Sequence, residues 1–301
     1  MYSRKNETRR RNIMKKLFLP YLIALLLIGG STLLVYPSAA SWKAQLDQSK
    51  VVNAYSDQVE HAHPDKENQM KAAREYNAAL NAGAVLEANE RKATGTGELT
   101  SDSVWPYENI LKADTHGLMA RIRIEKIDVD LPIFHGTTDE TLLKGAGHLE
   151  GTSFPIGGAS AHAVITAHRG LAQARMFTDL DKIDTGDVFT IEVFGEVLTY
   201  RVRETKIVQP EDTDTLKVEE GSDLVTLVTC TPLGINSHRI LVTGERIIPT
   251  PQSDLDAAGN SSQLPRFPWF AVLYVGGVIA TLVWVGYVTF SLYSSQRKQR
   301  A

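Results

Sequence analysis

This 301-residue sequence contains a single cysteine, Cys230, which is its best candidate for a nucleophile. Cys230 ends an apolar segment typical of a β-strand and precedes a Thr-Pro-Leu-Gly turn, and strand ends that open into loops often carry catalytic groups. A lone cysteine cannot form a disulfide within its own chain, which excludes the usual structural role of an exported cysteine. The alternative is a small buried core residue, because free cysteine packs like a hydrophobic side chain. The position of Cys230 favours the role of a nucleophile, although the residues alone do not decide between the two interpretations.

A thiol nucleophile needs an acid–base partner and a donor for the oxygen anion that forms on the attacked carbonyl group. His168 also ends a predicted strand, and Arg239 begins the strand that follows the loop after Cys230. If the strands of Arg239 and Cys230 are neighbours, both residues face the same mouth of the sheet. The guanidinium could then donate to the carbonyl oxygen. The alternatives are a loop histidine and a surface arginine.

The elements that must position these residues are predicted to be short strands, beginning at about Met119. Alternating or apolar runs, separated by glycine and proline turns, lie near residues 121–125, 129–133, 163–166, 188–194, 197–202, 224–229 and 239–243. Many short strands with little helix between them predict a mainly β fold, a single closed or nearly closed β-barrel over about residues 116–248. Upstream, residues 41–92 favour helix, with a break at His63-Pro64-Asp65 and a second helix from about Lys66 to Leu86.

Two stretches without any charged residue, 17–36 and 267–292, are long enough to cross a bilayer as helices. Basic residues flank both on their terminal sides, which predicts cytoplasmic termini and an exported middle. The stretches argue against a soluble enzyme, and the acidic middle argues against nucleic acid as a partner. A cleavable signal peptide ending near Ser38-Ala39-Ala40 is the alternative for the first stretch, whose length favours an uncleaved anchor.

These patterns divide the chain into seven segments. They are a cytoplasmic basic tail (1–16), a transmembrane helix or signal anchor (17–36), a helical region with a possible lid loop (37–104), the catalytic barrel (105–248), a linker (249–266), a transmembrane helix (267–292) and a second cytoplasmic basic tail (293–301). The expected location is the cell membrane, with the catalytic domain on the extracellular side.

Several motifs resemble those of sortases, the cysteine transpeptidases of the Gram-positive cell envelope. Thr226–Cys230 reads TLVTC and matches the sortase TLxTC motif, His168 within TAHRG matches the sortase histidine, and Arg239 stands where the sortase arginine stands. The wider match covers roughly residues 105–246 and is similar to the class C, pilin-polymerising group. It runs in order through residues 107–111, 124–137, 147–153, 176–180 and 230–239, and an anchor at each end is also that group's arrangement.

The resemblance implies a sortase-like closed β-barrel of about eight strands with short helices, and a transpeptidase activity. Cys230 would attack the Thr–Gly carbonyl of an LPxTG-like sorting signal and form a thioacyl enzyme, which a lysine amine on a pilin resolves. His168 would protonate the leaving amine and deprotonate the incoming one, and Arg239 would bind the carbonyl oxygen. The alternatives are a sortase that anchors surface proteins to cell-wall peptide, a thiol peptidase, and a non-catalytic membrane-tethered binding protein.

Further expectations concern substrate contacts, a groove wall, a lid, and metals or cofactors. Thr229, Thr231 and Leu233 flank it and are expected to contact substrate, and the acidic stretch 210–222 would by resemblance form one wall of the groove. Class C sortases usually carry an Asp-Pro-aromatic lid motif, which this sequence lacks. Asp102 with Trp105 is the nearest substitute, residues 87–91 are another possibility, and Trp105 is also interpretable as a packing residue. We expect no metal or cofactor, because the acidic stretch and the His61/His63 pair are more typical of solvated surface.

Overall fold

The structure is a computed structural model that describes residues 2–62, 64–81 and 105–298. Within these residues the chain forms five α-helices, which are α1 (Tyr2–Glu60), α2 (Lys66–Asn81), α3 (Asp139–Lys144), α4 (Gln252–Ala257) and α5 (Trp269–Lys298). It also forms eight strands, which are β1 (Leu118–Ile124), β2 (Val129–His135), β3 (Ala146–His148), β4 (Ala161–Thr166), β5 (Val188–Val193), β6 (Glu196–Val208), β7 (Asp223–Thr231) and β8 (His238–Arg246). The chain divides into two compact units, Met1–Trp42 with Arg266–Ala301, and Lys43–Pro265.

The strands close into one barrel in the order β1-β2-β3-β4-β7-β8-β6-β5, with β5 pairing back to β1. The pairs β2–β3 and β4–β7 are parallel, and the other neighbours are antiparallel. Each strand of the barrel therefore has a neighbour on both sides along at least part of its length. The mainly β, closed-barrel prediction is therefore confirmed.

Successive side chains along a strand point to opposite faces, and this alternation separates two apolar clusters. On β4, β7 and β8 the inward residues, such as Ile165, Leu227 and Val242, belong to the main core. The intervening residues Val164, Val228 and Leu241 point outward and form a second buried cluster. The three middle strands thus have apolar residues on both faces, and we call the side that carries Val228 the outer face.

The N-terminal helical region packs on the barrel through side chains that bond its main chain. Tyr55 of α1 donates to the carbonyl of Met119 at 2.7 Å and accepts the amide of Phe194 at 2.9 Å. Asn77 of α2 exchanges two hydrogen bonds with the main chain of Phe154. The break expected at residues 63–65 separates α1 from α2, and the carboxylate of Asp65 caps α2 by accepting the amide of Asn68. The expected continuation of α2 beyond residue 81, and the loop after it, lie outside the described residues.

Two helical stretches are apolar and long enough to cross a membrane, one within α1 from Lys16 onward and the other α5, with mean hydropathies of 2.2 and 2.0. Within their unit the helices run antiparallel, because Tyr21 contacts Thr289, Thr32 contacts Tyr274 and the Trp42 indole donates to the carbonyl of Arg266. The presence of two apolar helices is confirmed. Their placement in a membrane and the side of their termini remain predictions.

The helix boundaries around the first apolar stretch differ from those expected. We expected a transmembrane helix over residues 17–36, followed by a separate helical region. The structure has one helix, α1, that begins at Tyr2 and includes both Pro20 and Pro37. A proline removes one main-chain donor, and in apolar surroundings a neighbouring helix or hydroxyl group can satisfy the acceptor that is left.

The segment expected to be a linker, residues 249–266, contains α4 and covers a buried ion-pair network. Arg121 on the outer side of β1 binds both carboxylate oxygens of Asp130, at 2.7 and 2.8 Å, and lies 3.6 Å from Glu192. The side chains are 2, 7 and 9 % exposed. The carbonyl of Asn260 accepts from Arg121, and the amide of Gly259 donates to Glu192. The segment after the barrel is therefore held against β1 and β5 by charged groups.

A buried histidine, His148, predicts an acid-sensitive contribution to stability. Its Nε2 donates to the carbonyl of Ser153 at 2.8 Å and its Nδ1 lies 2.9 Å from the Tyr107 hydroxyl, so the neutral ring satisfies both partners. Burial lowers the pKa of His148 from 6.5 to about 3. Between these values the unfolded chain binds a proton that the folded chain does not, so the free energy of unfolding decreases as the pH falls.

We expect this group to contribute a slope on the order of 1 kcal/mol per pH unit below about pH 6. Urea unfolding of the detergent-solubilised chain between pH 7 and pH 4 measures it. His148→Gln keeps a donor and an acceptor but does not titrate, so its slope should be smaller than that of the wild type. Equal slopes for the two proteins would contradict the assignment.

Candidate active site

Cys230 and Arg239 lie opposite each other on adjacent antiparallel strands. Cys230 is the penultimate residue of β7, and its directly paired residue on β8 is Arg239. Directly opposite residues have Cβ atoms about 5 Å apart and point to the same face of the sheet. Both residues are partly buried. The expectation that these two strands are neighbours is therefore confirmed, and the two side chains share one end of the sheet.

His168 reaches the same place from the other side of β7. β4 runs parallel to β7 and pairs Thr166 with Val228. The ladder continues one step beyond β4, because the amide of Ala167 donates to the carbonyl of Val228 at 3.2 Å. The next position along each chain pair brings His168 beside Cys230, and parallel neighbours lie about 4.8 Å apart. The three predicted residues, Cys230 and Arg239 on paired strands and His168 two residues beyond the end of β4, thus form one row at this end of the sheet.

This row belongs to the outer face of the barrel. Cys230 follows Val228 by two residues and Arg239 precedes Leu241 by two, so their side chains continue the outward-pointing rows of the second apolar cluster. Val208 at the end of β6 and Leu216 from the segment between β6 and β7 pack against that cluster. The Cys230 thiol is partly buried and follows this apolar cluster along the same face of β7.

The segment 210–222, expected to form one wall of the groove, is attached to the outer face. His162 on β4 donates through Nδ1 to the carbonyl of Lys217 at 2.8 Å, and its Nε2 accepts from the Thr226 hydroxyl at 2.7 Å. Burial lowers the pKa of His162, which keeps the ring neutral as these two bonds require. Two acidic groups of the segment bind cations of the protein, since Asp214 pairs with Lys217 and Glu219 with Arg203.

The guanidinium of Arg239 is oriented by the loop that precedes it. Its Nη1 donates to the carbonyls of Asn236 and His238, both at 3.0 Å. These bonds engage one of the two terminal nitrogens and fix the plane of the group. A planar, rigidly held donor is suited to bind an oxygen that becomes negative during a reaction. The neighbouring His238 is turned to Gln209 and Ser237 instead.

The residues expected to contact substrate occupy different environments. Thr229 is 1 % exposed, and its hydroxyl donates to the carbonyl of Ala167 at 2.8 Å, so this side chain is not open to a peptide. The Thr231 hydroxyl is bound by Arg169 at 2.9 Å. Leu233 is 52 % exposed, on the loop after Cys230. Among these three, Leu233 therefore offers the largest apolar surface beside the site.

Of the candidate lid residues and the His61/His63 pair, the structure describes Trp105 and His61. Trp105 is partly buried against the main core and lines a cavity with Pro64, Asn109 and Lys112, which supports the packing interpretation. Asp102, residues 87–91 and His63 lie outside the described residues. His61 is bonded to the carbonyl of Asp57, one turn earlier in α1.

Arg169 is a buried residue of this region that the sequence analysis did not single out. Its side chain is 7 % exposed and binds Thr231, the carbonyl of Thr178 and the carboxylate of Asp181. The only feature of the sequence that pointed to Arg169 was its place directly after His168, but a charged residue in a loop is most often solvated. Only the tertiary structure shows that it lies between two loops.

Comparisons with known proteins agree with this arrangement. A sortase domain model matches residues 122–247. Sortase C-1 of Streptococcus pneumoniae is 41 % identical, with 66 % of this chain and 98 % of that chain covered and a TM-score of 0.56. Sortase C-1 of Actinomyces oris is 42 % identical, with 60 % of this chain and 98 % of that chain covered and a TM-score of 0.52. A pilus-related sortase C of Group B Streptococcus is 40 % identical, with 60 and 88 % covered and a TM-score of 0.51.

The matched domain spans β1 to β8 almost completely and includes the row of Cys230, His168 and Arg239. The identities above 40 % extend over nearly the whole length of the first two solved proteins. The closed barrel, the strand order and the similarity therefore agree, and the chain belongs to the class C sortases, a group of cysteine transpeptidases.

Proposed function

We propose that this chain is a membrane-anchored transpeptidase that cleaves an LPxTG-like sorting signal between Thr and Gly and transfers it to a lysine amine of a pilin. The proposal is supported by the row on the outer face, in which Cys230 is paired with Arg239 on β8 and the register of β4 with β7 continues toward His168. The similarity to a pilus-related sortase C supports the choice of a pilin as acceptor.

The proposed reaction begins with attack of the Cys230 sulfur, as a thiolate, on the threonine carbonyl carbon, while His168 carries the proton. Arg239 donates to the carbonyl oxygen as it becomes negative, and collapse of the tetrahedral intermediate breaks the bond to the glycine nitrogen. His168 gives its proton to that nitrogen, which leaves with the C-terminal part of the signal. A thioester to Cys230 remains.

The second half of the reaction restores the thiolate of Cys230 and the proton on His168. An incoming lysine amine loses a proton to His168 as it attacks the thioester, and the carbon–sulfur bond breaks. The product is an isopeptide between the threonine and the lysine. The partly buried position of Cys230 beside the outer apolar cluster supports this outcome, because limited access of water favours attack by an amine over hydrolysis.

The proposed location is the cell membrane with both termini in the cytoplasm. The antiparallel contacts of α1 with α5 support termini on one side, and the basic groups next to each apolar stretch favour the cytoplasmic side. The barrel would then lie on the extracellular side. Pilins and surface proteins with a sorting signal, together with the lipid bilayer, are the proposed partners.

The full chain in detergent micelles, mixed with an LPxTG-type peptide, tests the proposal when the acceptor is varied. We expect a thioacyl adduct that peptide mapping places on Cys230, and an isopeptide when a pilin or a lysine peptide is added. Mass spectrometry measures both. Use of a cell-wall peptide amine alone would contradict the pilin acceptor. Hydrolysis alone would contradict transpeptidation, and an adduct at another residue would contradict the role of Cys230.

A further inference from the structure

We propose that Arg169 is a positioning residue that holds His168 and Cys230 beside each other, by bonding the loop after His168 to the residue after Cys230. This inference rests on the proposed function in that it takes the row of His168 and Cys230 as the reacting pair. It concerns a residue that takes no part in the proposed chemical steps, since Arg169 contacts neither the sulfur nor the carbonyl oxygen in them.

The bonds of Arg169 extend in three directions from one buried guanidinium. Nη1 donates to the Thr231 hydroxyl at 2.9 Å, Nε donates to the carbonyl of Thr178 at 3.0 Å, and Nη2 lies 2.6 Å from the carboxylate of Asp181. Thr178 and Asp181 lie on the chain that follows His168, whereas Thr231 follows Cys230 directly. The guanidinium therefore connects two segments that the sequence separates by about sixty residues.

The two segments also touch beside the guanidinium. Gly170 has a left-handed φ of +73°, and a Cβ placed there would lie 2.5 Å from Cδ2 of Leu233. A larger residue at this position would therefore require the Leu233 side chain to move. The loop after His168 and the loop after Cys230 thus meet at two consecutive positions, Arg169 with Thr231 and Gly170 with Leu233.

This connection lies where the sheet no longer fixes the register. The strand β4 ends at Thr166, and the last main-chain bond between the two strands joins Ala167 to Val228. Beyond that point the Thr229 hydroxyl bonds Ala167, and Arg169 bonds Thr231. His168 is the residue between these two side-chain bonds, so its position beside Cys230 depends on both. A displacement of about 1 Å at a reacting pair can lower the rate about 100-fold.

The charge of Arg169 is balanced locally, which indicates a geometric role. Asp181 neutralises the guanidinium within the loop that carries His168. Lysine in its place would keep the charge but would present a single ammonium group, which cannot reach three acceptors in a fixed plane. Arg169→Lys therefore separates loss of geometry from loss of charge.

The test compares variants that alter one bond and preserve shape. Thr231→Val removes the hydroxyl with little change of volume, and Thr231→Ser keeps it. We expect acyl-enzyme formation to slow about 10- to 100-fold in Thr231→Val and Arg169→Lys at an unchanged KM, with at least a tenfold recovery in Thr231→Ser relative to Thr231→Val. Arg175→Gln, which removes the ion pair of Arg175 with Asp179 on the same loop, should remain within twofold of the wild type.

A second readout does not depend on the peptide substrate. Cys230 is the only thiol in the chain, so the rate of its alkylation by iodoacetamide across pH 5–9 reports its surroundings. We expect the profiles of Arg169→Lys and Thr231→Val to shift toward that of His168→Asn, and the profile of Arg175→Gln to match the wild type. The urea midpoint of each variant shows that the barrel is folded.

The outcomes separate this inference from the proposed function. If no sorting peptide forms an adduct with the wild type, the proposed function fails, and the alkylation profiles still decide the role of Arg169. Profiles of Arg169→Lys and Thr231→Val that equal the wild type would overturn that role. So would equal acylation rates for Thr231→Val and Thr231→Ser, or a loss confined to KM.

Discussion

Replacing Cys230 with alanine is expected to abolish cleavage of a sorting-signal peptide, with a loss of at least about 10⁴-fold in rate. The sequence contains no second thiol that could form the acyl enzyme. The remaining groups, His168 and Arg239, could still bind and polarise the carbonyl, but no covalent intermediate would protect the acyl group from water. Chromatographic measurement of peptide cleavage by the full chain in micelles gives the rate.

The matched controls for this prediction are peptide binding and folding. Cys230 is partly buried at a strand end, and alanine preserves the strand, so the urea midpoint should change little. Peptide affinity should also remain within a few-fold, since no binding contact other than the sulfur is removed. Cleavage by Cys230→Ala at the wild-type rate would show that another group is the nucleophile, and lost folding would make Cys230→Ser the variant to compare.

The ends of the strands that carry the site could be predicted from the sequence, because they depend on local patterns. Apolar alternation and turn residues located the ends of β4 and β7 and the start of β8, and these ends gave His168, Cys230 and Arg239. The parallel pairing of β4 with β7 could not be predicted in this way. It joins segments about sixty residues apart, and its register fixes which residue lies beside Cys230.

The contacts of residues that bind main-chain groups far away in the sequence could not be predicted either. Thr229 was expected to contact substrate because it is next to Cys230, yet neighbours on a strand point to opposite faces, and its hydroxyl is turned to Ala167. The segment 249–266 resembled a linker because of its prolines and polar residues. A carbonyl and an amide of this segment bind Arg121 and Glu192, which precede it by more than sixty residues in the sequence. Main-chain contacts of this kind leave no pattern in the side chains of the sequence.

The largest expected effect on stability is that of Arg121→Met. The variant would leave the Asp130 carboxylate buried without the two bonds it now accepts, and Glu192 would keep only Arg123 as an ionic partner, at 3.3 Å. Breaking a buried ion pair from one side costs about 3–5 kcal/mol, because an uncompensated charge remains out of water. We expect a decrease of this size in the free energy of unfolding, measured by urea denaturation of the full chain in micelles.

The double variant Arg121→Met with Asp130→Leu distinguishes the pair's own contribution from the cost of an orphaned charge. Removing both partners exchanges a desolvated ion pair for apolar packing, which is often neutral or stabilising. Glu192 stays paired with Arg123 and with the amide of Gly259, so the segment after the barrel keeps one anchor. We therefore expect the double variant to be more stable than Arg121→Met by at least about 2 kcal/mol. A double variant as unstable as the single one would mean that Arg121 acts mainly through the carbonyl of Asn260, and that α4 rather than Asp130 depends on it.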